Sequence, residues 1–103
     1  MLELTVNGKS INLNDEGFMT DSSQWDSEVA RELGKIDGIE ITDDHLKVLE
    51  YLREKTAAGE TLTIRKVGKS GIVDIKGLYK LFPGGPLKLS SKFAGISKPT
   101  SCV

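Results

Sequence analysis

The chain has 103 residues, 38% of them hydrophobic and 28% charged, with a formal net charge of −1. That is enough for one modest hydrophobic core and too little for two domains. One cysteine and one histidine exclude a disulfide framework and leave too few soft ligands for a metal cluster.

Leu2-Glu3-Leu4-Thr5-Val6 alternates apolar and polar residues, and Ser10-Ile11-Asn12-Leu13 follows after Asn7-Gly8. Alternation on both sides of Asn-Gly predicts a β-hairpin over about 2–13, because both turn residues accept positive φ. Asp15-Glu16-Gly17 reads as a second turn, and Phe18-Met19 as a short extension of the sheet. Trp25, Val29 and Leu33 lie at i, i+4 and i+8, which predicts a helix containing Trp25 as a core anchor and stopped by Gly34 or Gly38.

Thr42 is a candidate cap for the next helix, with Asp43 and Asp44 suited to its positive N-terminus. Leu46, Val48, Leu49 and Leu52 give this helix its apolar face to about Ala57 or Ala58, and Gly59 closes it. Thr63 caps a short segment, Ile64-Arg65-Lys66-Val67, ending at Gly68. Leu78, Tyr79, Leu81 and Phe82 predict a further short apolar helix. Pro83-Gly84-Gly85-Pro86 is the hardest break in the chain. Leu87, Leu89, Phe93 and Ala94 read as a last helix of two turns, ended by Gly95. The expected architecture is α+β and mostly α: an N-terminal hairpin, a helical body over about 22–94, and a flexible C-terminal arm over 95–103.

Charge is unevenly placed. Residues 1–60 hold 14 of the 15 acids and 6 of the 14 bases, whereas residues 61–103 hold 8 bases and a single acid, Asp74. A basic end of this kind steers an acidic partner or RNA toward the tail, or is simply a solvated surface. There is no apolar run of transmembrane length and no signal-peptide pattern at the N-terminus, so a soluble, cytoplasmic protein with no membrane partner is expected.

His45, at a helix start beside Asp43 and Asp44, reads as structural or surface rather than as a general base. Gly68-Lys69-Ser70-Gly71 lacks the earlier glycine of a phosphate-binding loop. No cofactor and no metal site is expected. The remaining singular residue is Cys102, a lone thiol one position from the chain end. Thiols are usually buried, and chain ends are usually accessible.

The stretch Leu81-Phe82-Pro83-Gly84-Gly85-Pro86, with Phe93-Ala94-Gly95-Ile96 and the terminal Lys98-Pro99-Thr100-Ser101-Cys102-Val103, resembles the C-terminal signature of the DsrC/TusE sulfur-carrier family. Val6-Asn7-Gly8-Lys9, Asp15-Glu16-Gly17-Phe18, Trp25, Ile41-Thr42-Asp43-Asp44-His45 and Tyr51-Leu52-Arg53-Glu54 extend the resemblance over nearly the whole chain. The resemblance implies that Cys102 carries sulfur as a persulfide, a sulfurtransferase role without stand-alone turnover. It implies protein partners of the TusBCD or DsrEFH type, a tRNA 2-thiouridine synthase, or dissimilatory sulfite reductase. It also implies an arm in which Lys98, Pro99, Thr100 and Val103, with Lys92, meet those partners.

Members that serve sulfite reductase carry a second cysteine eleven residues before the penultimate one, and here that position is Ser91. The two-cysteine cycle is therefore closed to this chain, and the pattern is closer to TusE. Lys66–Val73 departs from the family's middle region, which bears on partner identity more than on fold.

The eight residues from Gly95 to Cys102 span at most about 26 Å when extended. Pro99 restricts that segment and pushes Lys98 toward extended conformations. The Val103 carboxylate opposes ionisation of the neighbouring thiol, and Lys98 and Lys92 offset it if the arm folds back. Two other classes of function stand beside the carrier. One is a helix-turn-helix DNA-binding module using Arg65, Lys66 and Lys69, disfavoured by its five-residue recognition helix. The other is a regulatory subunit that docks without moving sulfur.

Overall fold

The computed structural model describes residues 2–98. Strands β1 (Leu2–Val6) and β2 (Lys9–Leu13) form an antiparallel hairpin with Leu4 opposite Ile11 and Val6 opposite Lys9. Asn7 and Gly8 both take positive φ, 51° and 79°, which matches the right-handed twist of the strands. Val6, Ile11 and Leu13 turn inward and are buried. Met19 bridges back to Leu13, so the sheet is extended where Phe18-Met19 predicts it. Asn14 organises the intervening turn, its Oδ1 accepting from the backbone N–H of Glu16 and Phe18.

Ser22–Gln24 forms one 3-10 turn capped by Asp21. The Gln24 side chain accepts from Asn12 N–H at 3.1 Å and donates to Ser10 O at 3.1 Å, pairing with the outer edge of β2. An edge strand otherwise leaves such groups for other chains to pair with.

Helix α1 is Ser27–Ile36. Trp25 is not part of it. Asp26 takes the cap position, accepting from Val29 N–H at 2.9 Å, and Trp25 stays extended in front of it. Gly34 does not stop α1 either. A Cβ there would lie 2.5 Å from Ile41 Cγ1 and 2.7 Å from Ile39 O, so this glycine permits a close approach inside the helix. Gly38, at φ +75°, lies at the actual exit.

Asp26 also pairs with Lys9 Nζ at 2.7 Å, tying α1 to the hairpin. The Lys9 hydrogen bond, and then the Val29 N–H, hold its carboxyl below the usual aspartate range. Because the folded-state pKa is the lower one, this contribution is complete above the unfolded value of about 3.9 and is lost as pH falls through the folded value. Asp26→Ala is expected to lower stability by about 1 kcal/mol at neutral pH, the usual worth of an N-cap. Asp26→Asn should flatten the acid limb of stability below about pH 4. Urea titrations across pH 2–7 check both.

Helix α2 is Asp43–Ala57. His45 replaces the acid of a capping box: its Nδ1 accepts from Thr42 N–H at 3.1 Å, and its Nε2 lies 2.9 Å from Leu81 O. With Nδ1 accepting, Nε2 carries the proton and donates. His45 is buried, and its ring meets Phe82 edge-on at 5.1 Å, so it is structural.

Helices α3 (Ile64–Gly68) and α4 (Ile75–Leu81) follow, capped by Thr63 and Asp74. α4 begins earlier than the sequence predicts and excludes Phe82. Residues before proline avoid the α region, and Phe82 sits at φ −129°, ψ 71° before Pro83. Tyr79, counted in the apolar face, is 46% exposed.

Helix α5 (Pro86–Phe93) starts with proline in its first turn and packs against α1, α2 and α4. Val29, Leu33, Leu49, Leu52, Phe82 and Phe93 form the centre of the core between these helices. The fold is α+β and mostly helical, as expected. Among the described residues no helix is long and apolar enough to cross a membrane.

Candidate functional site

The candidate site is the end of α5 and the chain that leaves it. An α-helix ends with carbonyls that lack intrahelical partners. Here Gly95 N–H donates to Lys92 O and Ile96 N–H to Ser91 O, a Schellman motif with Gly95 at φ +71°. Two carbonyls remain, and side chains from earlier in the chain take both. Trp25 Nε1–H donates to Phe93 O at 2.7 Å. Arg53 Nη1 donates to Ala94 O at 3.0 Å and to Ser22 Oγ at 2.9 Å, while Nη2 donates to Ser22 O at 3.1 Å.

The Arg53 guanidinium also lies over the Trp25 indole, 4.5 Å from the ring centroid. Burial lowers its pKa from the usual guanidinium value, and a guanidinium in a protein stays charged. Neither residue is singled out for this role by the sequence. Trp25 reads as a helix-stripe core anchor and Arg53 enters only within Tyr51-Leu52-Arg53-Glu54, because the carbonyls they serve lie 68 and 41 positions away.

Ser91, on α5, is 1% exposed. Among the described residues its Oγ is the one buried side-chain polar atom without a hydrogen-bond partner. It borders a cavity of about 120 Å³ with Thr56, Thr61, Leu62, Ile96 and Ser97. Position 91 therefore lies beside the start of the terminal segment.

Lys98 Nζ pairs with Glu16 at 2.8 Å, and Lys92 Nζ with Asp37 at 2.9 Å. The Lys98 hydrogen bond and charge hold the Glu16 carboxyl below its usual range. Both lysines that the sequence offers as compensation for the terminal carboxylate thus have carboxylate partners on the body. Cys102, Pro99, Thr100 and Val103 lie outside the described residues.

A larger groove of about 620 Å³ lies between α1 and the start of α2, lined by Arg31, Lys35, Ile39 and Ile41 among others. None of the residues that border it belongs to the terminal segment.

Comparisons with known proteins converge on one family. The chain is 34% identical, over the full length of both proteins, to the gamma subunit of dissimilatory-type sulfite reductase from Nitratidesulfovibrio vulgaris. It is 33% identical to the sulfurtransferase TusE of Escherichia coli K12, covering 97% of this chain and 99% of that one. Its fold superposes on Allochromatium vinosum DsrC with a TM-score of 0.84 at 33% identity, covering 98% of this chain and 97% of the other. It superposes on the oxidised gamma subunit of dissimilatory sulfite reductase from Archaeoglobus fulgidus with a TM-score of 0.83 at 36% identity, covering 99% and 100%. The family model described as DsrC like protein matches residues 5–103, and with the hairpin, the helical body and the α5 terminus in agreement, the chain belongs to the DsrC family.

Proposed function

We propose that this protein is a sulfur carrier, in which Cys102 accepts sulfane sulfur as a persulfide and passes it to a partner protein. The observation that carries the reading is a single cysteine, next to last, in a chain of nearly the same length as relatives named sulfurtransferase TusE. In loading, the Cys102 thiolate attacks the terminal sulfur of a donor persulfide and the donor thiolate leaves. In delivery, an acceptor thiolate attacks that same terminal sulfur and Cys102 thiolate leaves. No net oxidant or reductant is needed.

The body over 1–94 serves as the docking unit and residues 95–103 as the carrier arm, with Lys98, Pro99, Thr100 and Val103 meeting the partner. Lys92 and Lys98 pair with Asp37 and Glu16, which favours the donor or acceptor site as the source of positive charge that activates the thiol. Ser91 offers no second thiol, so a loaded Cys102 waits for an external acceptor. This favours a TusE-like relay toward tRNA thiolation over the two-cysteine cycle of sulfite reduction.

The test is intact mass after incubation with glutathione persulfide. A gain of about 32 Da, the mass of one sulfur, is expected on the parent chain and is expected to vanish in Cys102→Ser. A parent chain that takes up no sulfur from this donor or from a persulfidated desulfurase overturns the carrier reading.

A further inference from the structure

The geometry points to Arg53 and Trp25 as positioning residues, a clamp that fixes the direction in which the chain leaves α5. The inference rests on the carrier reading for its purpose, since the segment it aims leads to Cys102.

An α-helix can end in a Schellman motif with no help from elsewhere, and this one satisfies the Ser91 and Lys92 carbonyls that way. The next two carbonyls, Phe93 O and Ala94 O, belong to the residues on either side of the exit. Each is held by a side chain from a different part of the fold, at 2.7 and 3.0 Å. Gly95 lies directly against the same group. A Cβ there would come within 2.8 Å of Trp25 Cδ1 and of Met19 Sδ. The exit is therefore held from the indole side by contact and from the carbonyl side by two donors.

The choice of arginine is informative. Ala94 O, Ser22 Oγ and Ser22 O are all uncharged acceptors, and burial is the cause that shifts the guanidinium pKa. A half-buried cation whose partners among the described residues are uncharged oxygens and not a carboxylate gives up Coulomb energy. What it provides is geometry. The planar fork reaches Ser22 and Ala94 together while its face stacks on the indole, a combination an ammonium cannot copy. The clamp joins three stretches distant in sequence, the 3-10 turn, α2 and the end of α5.

Backbone 15N relaxation of the full chain tests this without involving sulfur. In the parent, Gly95, Ile96 and Ser97 should show order parameters near 0.85, the value of rigid backbone. Arg53→Gln, which removes the fork, and Trp25→Phe, which keeps a ring but removes the donor, should each bring these three residues below about 0.6. The interiors of α2 and α5 should stay unchanged.

Arg53→Lys should behave like Arg53→Gln, and its restoration of the parent values would overturn the role given to the fork. Unchanged values at Gly95–Ser97 in both loss variants, or loosening spread evenly through α5, would reduce the pair to general stability and overturn the clamp. Glutathione persulfide loading is run on the same samples. Absence of the sulfur adduct in the parent would count against the carrier reading alone, because the relaxation result stands independently of it.

Discussion

Ser91→Cys should let this protein close an internal disulfide with Cys102, which the parent chain with its single cysteine cannot form. The Ser91 side chain is buried and its hydroxyl has no partner among the described residues, so the site already accepts a polar atom without satisfying it there. A thiol needs a hydrogen bond less than a hydroxyl does, and the reduced variant should keep its stability to within about 1 kcal/mol. The cavity at Ser91 is bordered by Ile96 and Ser97. The five residues that follow Ser97, up to Cys102, reach about 16 Å at most, enough to bring the second thiol back to a disulfide Cα separation of about 5.5 Å.

On mild oxidation the variant should lose about 2 Da as two hydrogens leave, and it should remain monomeric. Closing the loop should raise the stability of the oxidised form by about 3 kcal/mol in the chain-entropy model. Once loaded with sulfur, the introduced thiolate attacks Cys102 Sγ, the inner sulfur, and hydrosulfide leaves as the disulfide forms. The persulfide adduct should therefore disappear from intact mass spectra while free sulfide rises. Oxidation that yields only intermolecular dimers would show that Cys102 does not reach the Ser91 cavity.

The elements that local rules control were legible in the sequence. Asn7-Gly8 specified the hairpin, Thr42 and the leucine stripe specified α2, and Pro86 and Gly95 bracketed α5. The misreadings arise where a distant segment decides. Trp25 fits a helical stripe with Val29 and Leu33, yet Asp26 caps the helix and leaves the indole free to reach Phe93 O. Gly34 looks like a stop signal, yet it sits inside α1 because Ile39 and Ile41 return across it. Arg53 is quoted only within Tyr51-Leu52-Arg53-Glu54, and its role depends on a carbonyl 41 residues away. No period or cap rule contains that information. The site divides in the same way. Cys102 stood out by solitude and position, and Ser91 by comparison with the two-cysteine pattern. The groups that hold the α5 terminus had no local signature.

Phe82→Ala should be the most damaging single substitution in the body, lowering stability by about 3–5 kcal/mol. Phe82 is fully buried, and its ring joins three elements. It meets His45 of α2 edge-on at 5.1 Å and Phe93 of α5 at 6.1 Å, and its own backbone ends α4. Truncation leaves a void of ring size that Pro83 and Pro86 hinder from collapsing, since both restrict the backbone that would have to move.

The neighbouring His45–Leu81 hydrogen bond adds to the loss, because the imidazole is held by the ring it packs on as well as by its partners. Against a total of about 5–15 kcal/mol for a typical domain, such a loss leaves the variant marginal. Phe82→Leu keeps most of the volume and should cost about 1 kcal/mol. Urea denaturation followed by circular dichroism separates the two, and a loss below about 1 kcal/mol for Phe82→Ala would show that α4 does not depend on this ring. On the carrier reading proposed for Cys102, sulfur loading in the surviving folded fraction should match the parent, because the ring supports the body and not the thiol itself.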